Sequence, residues 1–286
     1  QPQILSAELV LRAIQQLEPI YDSLGRVGSC AGLLYAADTA KPEFQDLEQR
    51  VEQRSTEIRN ILLFFELAWL KVDDDVAGNL INDPQLKSYR HYLESLRRYR
   101  PHTLSELEEQ LLNERDNTGR NAFGRLFSET TSSLIFRLDR DGKTEELNLS
   151  RMLSLLHEPE RDLRRRAMET LYQGLAQHGQ LLTFIYDTLI QDNLTVDRLR
   201  HYPTSIAQRH LANEIDDAAV KTMMAVAEAN YQLAQDYFRL KAKLLQLPRL
   251  ALYDQYAPVD QEVRPFPYDQ AKQVILDSFA AFEPTF

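Results

Sequence analysis

Apolar residues recur at helical spacing along most of the chain. From Ser6 to Leu24, the positions Leu9, Val10, Ala13, Ile14, Leu17 and Ile20 share one helical face. Pro42 to Val72 predicts a longer helix, about 45 Å if continuous. Phe44, Leu47, Val51, Ile58, Ile61, Leu62, Phe65 and Trp69 lie on its apolar side, and acids and arginines supply a solvated side. Asp83 and Pro84 read as the N-cap and first turn of another helix, with Tyr89, Tyr92, Leu93, Leu96 and Tyr99 inward and Pro101 as its stop. Thr103 and Glu106 have capping-box spacing ahead of Leu107, Leu111 and Leu112.

The rhythm changes once. Leu134, Phe136 and Leu138 alternate with polar residues, as do Leu147 and Leu149, and Asp141 and Gly142 form a two-residue turn signal between them. This predicts a β-hairpin with Arg137, Asp139, Lys143 and Glu145 outward, and Ser150 as cap of the next helix. Helical spacing resumes at Met152, after Pro159 and over Leu181 to Leu194. A single long helix is expected from the Asp216 cap to Leu247, ended by Pro248. Leu250 to Val263 reads as irregular, Pro265 and Pro267 as a turn, and Asp269 as the start of a last helix through Val274, Ile275 and Phe279. The expected organisation is a helical region (1–133), the hairpin (134–149) and a second helical region (150–286). The fold class is mainly α: a long-helix, multi-helical fold with one small β-hairpin.

Composition narrows the field. Nine glycines and twelve prolines in 286 residues suit long uninterrupted helices. A net charge of −10 opposes non-specific nucleic-acid binding. Apolar runs fall short of the ~20 residues that a membrane span needs, so neither nucleic acid nor membrane is an expected partner. Cys30 is the single cysteine, which fits a reducing compartment and a cytoplasmic location; it reads as a packed thiol. Gly25, Gly28 and Gly32 read as a stripe for close helix packing. Asp73, Asp74 and Asp75 read as a solvated loop.

Catalytic patterns are missing from the sequence. The six histidines include no i,i+4 pair, and the nearest imitation, His157 to Arg161, has Arg161 at the second ligand position and Pro159 inside the would-be helix. No nucleophile elbow, phosphate loop or dinucleotide fingerprint occurs. The densest group of donors lies between Asp197 and Asp216, around Pro203: Arg198, Arg200, His201, Tyr202, Arg209 and His210. Tyr202, Arg209 and His210 are the candidate substrate-binding residues, because Arg forks onto a carboxylate and Tyr offers a flat face with a hydroxyl. The alternative is an ordered loop in which Arg209 pairs with an acid such as Glu214.

The run DRLRHYPTSIAQRHLANEID (Asp197 to Asp216) and the helix ending YFRLKAKLLQLPRLALYDQYAPV resemble the oligoendopeptidase F family of zinc metallopeptidases. Leu104 to Phe127, Leu153 to Leu171 and Tyr268 to Phe279 resemble further segments in the same order. The resemblance implies part of a helical, bilobed peptidase shell around a channel for short peptides. It also implies a catalytic zinc held by an H-E-x-x-H helix and a downstream Glu, both absent here. No catalytic or metal residue therefore carries over, and the chain is expected to be an inactive fragment leading into a missing catalytic domain, with the remainder of the same polypeptide as partner. Apolar residues near Val274, Ile275, Phe279 and Phe282 are then expected to lack part of their packing surface. A non-catalytic helical scaffold is the competing reading, but its repeat-like run, Glu158 to Ala167, occurs only once.

Overall fold

A computed structural model describes residues 5–140, 142–260 and 266–283. The chain divides into two compact units, Gln1–Leu149 with Thr170–Tyr231, and Ser150–Glu169 with Gln232–Phe286.

The first unit opens with α1 (Ala7–Ala37), capped by the Ser6 hydroxyl, and α2 (Pro42–Lys71). α3 (Asp74–Ile81), a 3-10 turn (Pro84–Tyr89) and α4 (Arg90–Arg98) follow. Their apolar faces form one core: Val10, Ile14 and Leu17 meet Leu62, Phe65 and Trp69, with Leu80, Leu86 and Leu93 beneath. The Trp69 indole donates to the Leu93 carbonyl at 3.0 Å. Arg97 donates to the carbonyls of Trp69 and Val72, satisfying acceptors at the end of α2. α5 (Glu106–Thr118), α6 (Arg120–Ser133), β1 (Phe136–Arg140) and β2 (Lys143–Leu147) complete this stretch.

The hairpin forms as expected, antiparallel, with Phe136 opposite Leu147 and Leu138 opposite Glu145. Asp141, half of the turn signal, lies outside the described residues; Gly142 has φ +76°, which glycine adopts without strain. The register corrects one expectation. Glu145 shares the face of Phe136 and Leu138 and is half-buried rather than outward. Phe136 lies so close to Gly174 that a Cβ there would come within 2.6 Å of its ring.

After the hairpin come α7 (Leu149–Ser154), a 3-10 turn (Leu155–His157), α8 (Arg161–Gln177), α9 (Gly179–Leu199), α10 (Ala207–Ala212) and α11 (Asp217–Ala229). α12 (Tyr231–Leu244), a 3-10 turn (Leu252–Asp254) and α13 (Tyr268–Phe282) close the chain. The expected helix from Asp216 to Leu247 is two helices. Asn230 interrupts it, its side-chain amide donating to the Val226 carbonyl at 2.7 Å. Val263 and Pro265 lie outside the described residues.

Several local readings are corrected. Asp73 caps α3, and Asp74 and Asp75 form its first turn, where carboxylates favour the helix dipole. The capping box belongs to Ser105 and Glu108; Thr103 instead donates to the Tyr99 carbonyl. Ser150 lies inside α7. Tyr92 is 37% exposed, and Leu107 and Leu111 face solvent. Gly25, Gly28 and Gly32 have no close neighbour, so no backbone approaches them, and Cys30 is exposed. One reading stands: on α13, Val274, Ile275, Phe279 and Phe282 are exposed, as expected of residues short of packing surface.

The second unit buries Met152, Leu155, Leu156, Leu163 and Ala167, and with them an ion cluster. Asp254 is fully buried and accepts from Arg161, Arg164 and the Ala251 amide. Arg164 also donates to the carbonyls of Glu158, Pro159 and Tyr253. Burial alone would raise the Asp254 carboxyl, but its donors hold it below the usual aspartate value. The stabilisation from ionised Asp254 is therefore complete above about pH 4, the unfolded value, and is lost as pH falls through the lower folded value. Asp254→Ala leaves Arg164 buried without a counter-charge. It should destabilise this unit by about 3–5 kcal/mol in urea titration at neutral pH, and the gap between variant and parent should narrow in acid.

Candidate functional site

The candidate residues lie in and beyond the end of α9. That end is a Schellman turn: Tyr202 N–H donates to the Asp197 carbonyl at 2.9 Å, and His201 N–H to the Arg198 carbonyl at 3.3 Å. His201 stands at the left-handed position, φ +58°, where glycine is usual. α10 ends the same way, with Glu214 at φ +54° and Ile215 N–H donating to the His210 carbonyl. The connector is thus closed by backbone hydrogen bonds at both ends.

Arg200 ties it to α5. Its guanidinium forks onto Glu109, with Nη1 2.7 Å from Oε1 and Nη2 2.8 Å from Oε2. The Leu104 amide adds a third bond to this carboxylate at 2.9 Å. Burial would raise Glu109, but Arg200 and Leu104 keep it below the usual range. Arg200 Nη1 also donates to the His102 carbonyl, while His102 Nδ1 lies 2.8 Å from the Arg200 carbonyl. A carbonyl only accepts, so Nδ1 carries the proton. Asp197, buried in the last turn of α9, accepts from Asn193 at 3.0 Å.

The three expected contact residues have different surroundings. Tyr202 stacks on His102, with ring centroids 3.9 Å apart and planes 18° apart, and burial raises its phenol. His210 Nδ1 donates to Asp217 Oδ1 at 2.5 Å, joining α10 to the start of α11. Arg209 is exposed on α10. Its expected pairing with Glu214 does not form: Glu214 accepts from Ser95 at 3.1 Å and lies 2.7 Å from His91 Nε2. Arg209 therefore offers a guanidinium to solvent on an ordered turn. Glu109 and His102, which hold the connector, were not singled out by sequence. Their partners stand 91 and 98 positions away, and neither position has a local motif that announces the pairing.

The arrangement can bind an anion but holds no nucleophile–base pair. Among the described residues, no three His, Cys, Asp or Glu side chains are disposed to hold a metal ion. The histidine contacts agree: His91 faces Glu214, His102 bonds to the Arg200 carbonyl, His157 stacks on Tyr256 and His210 bonds to Asp217.

Two family models match the chain. One, described as Oligopeptidase F, covers residues 69–136, and one, described as Peptidase family M3, covers 154–279. Oligopeptidase PepF of Bacillus subtilis is 24% identical over 285 residues, covering 96% of this chain and 42% of the relative. Group B oligopeptidase PepB of Streptococcus agalactiae is 25% identical over 253 residues, covering 86% and 41%. The chain spans less than half the length of these curated relatives. The crystal structure of oligoendopeptidase-F from Enterococcus faecium shares the fold, with TM-score 0.80 and 23% identity over 96% of this chain and 53% of that one. Among the described residues, no helix is long and apolar enough to cross a membrane.

The Schellman turn yields a direct test. His201→Gly relieves a left-handed non-glycine residue and should stabilise the first unit by about 0.5–1 kcal/mol in chemical denaturation.

Proposed function

We propose, from the premise that this chain belongs to the M3 peptidase family in its oligopeptidase F branch, that it forms part of the wall of a peptide channel in an oligopeptide-cleaving zinc metalloendopeptidase. The observation that carries this reading is the pair of family matches along a scaffold in which no metal-ligand set occurs among the described residues. The described residues do not fit zinc, so its ligands are assigned to residues outside this chain, and the chain alone is inactive. In this reading, residues 150–286 lead into the catalytic part. The exposed apolar residues of α11, α12 and α13, such as Met223, Leu233 and Ile275, are surfaces for the remainder of the polypeptide. A single cysteine supports a cytoplasmic setting.

Within the wall, the chain's part is to hold peptide. Arg209 receives a peptide carboxylate through its planar fork. Tyr202 and His210 are the further contacts in this reading, on a connector fixed by Arg200 and by the two helix stops. A narrow helical channel admits extended short peptides and excludes folded proteins.

Supplied with zinc, the 286-residue chain should leave short fluorogenic peptides uncut; chelator-sensitive turnover would overturn the assignment of the ligands elsewhere. In the enzyme that contains this chain, Arg209→Ala should lower kcat/KM about tenfold for peptides with a free C-terminal carboxylate, the effect of a lost charge-assisted contact. Amidated peptides should be cut as before, with the melting temperature unchanged. A lower melting temperature with unaltered kinetics would make Arg209 structural instead.

A further inference from the structure

The first unit contains a cavity of about 600 Å³, well removed in sequence from the connector and lined from α1, α2, the Pro84–Tyr89 turn and α4. Ile14 and Leu17 give it an apolar wall, and Tyr21, Tyr89 and Tyr92 bring three aromatic rings. Two carboxylates enter it, Glu18 and Glu66. Glu18 accepts from the Tyr89 hydroxyl at 2.8 Å. Glu66, half-buried, differs from the paired acids Asp254 and Glu109. Among the described residues it has no hydrogen-bond or ion-pair partner, and neither do the hydroxyls of Tyr21 and Tyr92.

The electrostatics describe an uncompensated site. Burial, and then Glu109, push the Glu66 carboxyl above its usual range. Burial first, and Glu66 next, raise the Tyr21 phenol and push Tyr92 up to about 12. Arg59, two turns before Glu66 on α2, lowers Tyr21 but is the smallest of its influences. A carboxylate without a cation in an apolar, aromatic setting is costly to ionise. A cation delivered into the cavity removes that cost, and the tyrosine ring faces attract the same charge. Two carboxylates do not make a metal site, whereas Ile14 and Leu17 suit the methylene stem of an organic cation.

We propose that this cavity is a binding site for an alkylammonium group, with Glu66 as its counter-ion, Tyr21 and Tyr92 as aromatic contacts, and Ile14 and Leu17 against its stem. The group comes either from the lysine side chain of a peptide or from a free aliphatic amine. This site is independent of the Arg209 reading.

Calorimetric titration of the intact chain with N-acetyl-lysine methylamide, n-pentylammonium and N-acetyl-norleucine methylamide tests it. Both ammonium probes should bind saturably and the norleucine compound at least about tenfold more weakly. Glu66→Gln should remove that preference, and Tyr92→Leu should weaken the ammonium probes several-fold while Tyr92→Phe retains them. Tighter lysine binding identifies a peptide as the source, and tighter pentylammonium binding a free amine. Absence of saturable ammonium binding at millimolar concentration, equal binding of norleucine, or an unaltered Glu66→Gln variant would overturn the proposal. If Glu66→Gln does not fold, the Tyr92→Leu and Tyr92→Phe pair decides: equal affinities overturn it.

Discussion

The fork of Arg200 onto Glu109 governs the candidate region, because it fixes where α9 stops and what the chain does next. A guanidinium and a carboxylate, both largely shielded from water, are costly to place there singly. They are tolerable together because the Leu104 amide and the His102 carbonyl satisfy further donors and acceptors. That geometry brings the His102 segment against the end of α9, which in turn lets Tyr202 stack on the His102 ring. The backbone then turns through His201 under two hydrogen bonds, and α10 begins from a fixed base. Arg209 owes its defined setting to this sequence of constraints rather than to any partner of its own.

The same solution recurs at two other sequestered arginines. Arg97 reaches two carbonyls at the end of α2, and Arg164 reaches three carbonyls beside Asp254. In each case the planar fork serves backbone acceptors that a helix end or irregular segment leaves open, and a carboxylate balances the charge. The cations are thus structural cross-links between stretches distant in sequence. Lys241, 5% exposed, does the same with one bond to the Gln255 carbonyl, and burial lowers its ammonium pKa.

Much of the helical architecture was legible because it rests on local periodicity. The faces of α1 and α2, the N-cap Asp216, and the hairpin alternation are all short-range signals. Helix ends were less so. His201, Glu214 and Gln246 occupy left-handed positions without being glycine, and the interruption at Asn230 breaks a continuous apolar stripe. A stripe also does not reveal whether it is covered, which is why α11 looks like a core helix in sequence yet exposes its apolar residues. For the connector, the donors were visible but their partners were not. Glu66 was visible only as an interruption between Phe65 and Leu67, since nothing local distinguishes a solvated glutamate from one facing a cavity.

Glu109 links the connector to the cavity electrostatically. Its charge is among the influences that make Glu66 harder to ionise, yet Arg200 and Leu104 hold Glu109 itself ionised. The two carboxylates therefore do not share a burden symmetrically. The one with a permanent guanidinium is held below the usual carboxylate range, and the one without is pushed above it. An arginine cross-link thus fixes the structure at one carboxylate and leaves a recognition element at the other. The difference between the two lies in which acid the fold supplied with a partner, not in the chemistry of glutamate.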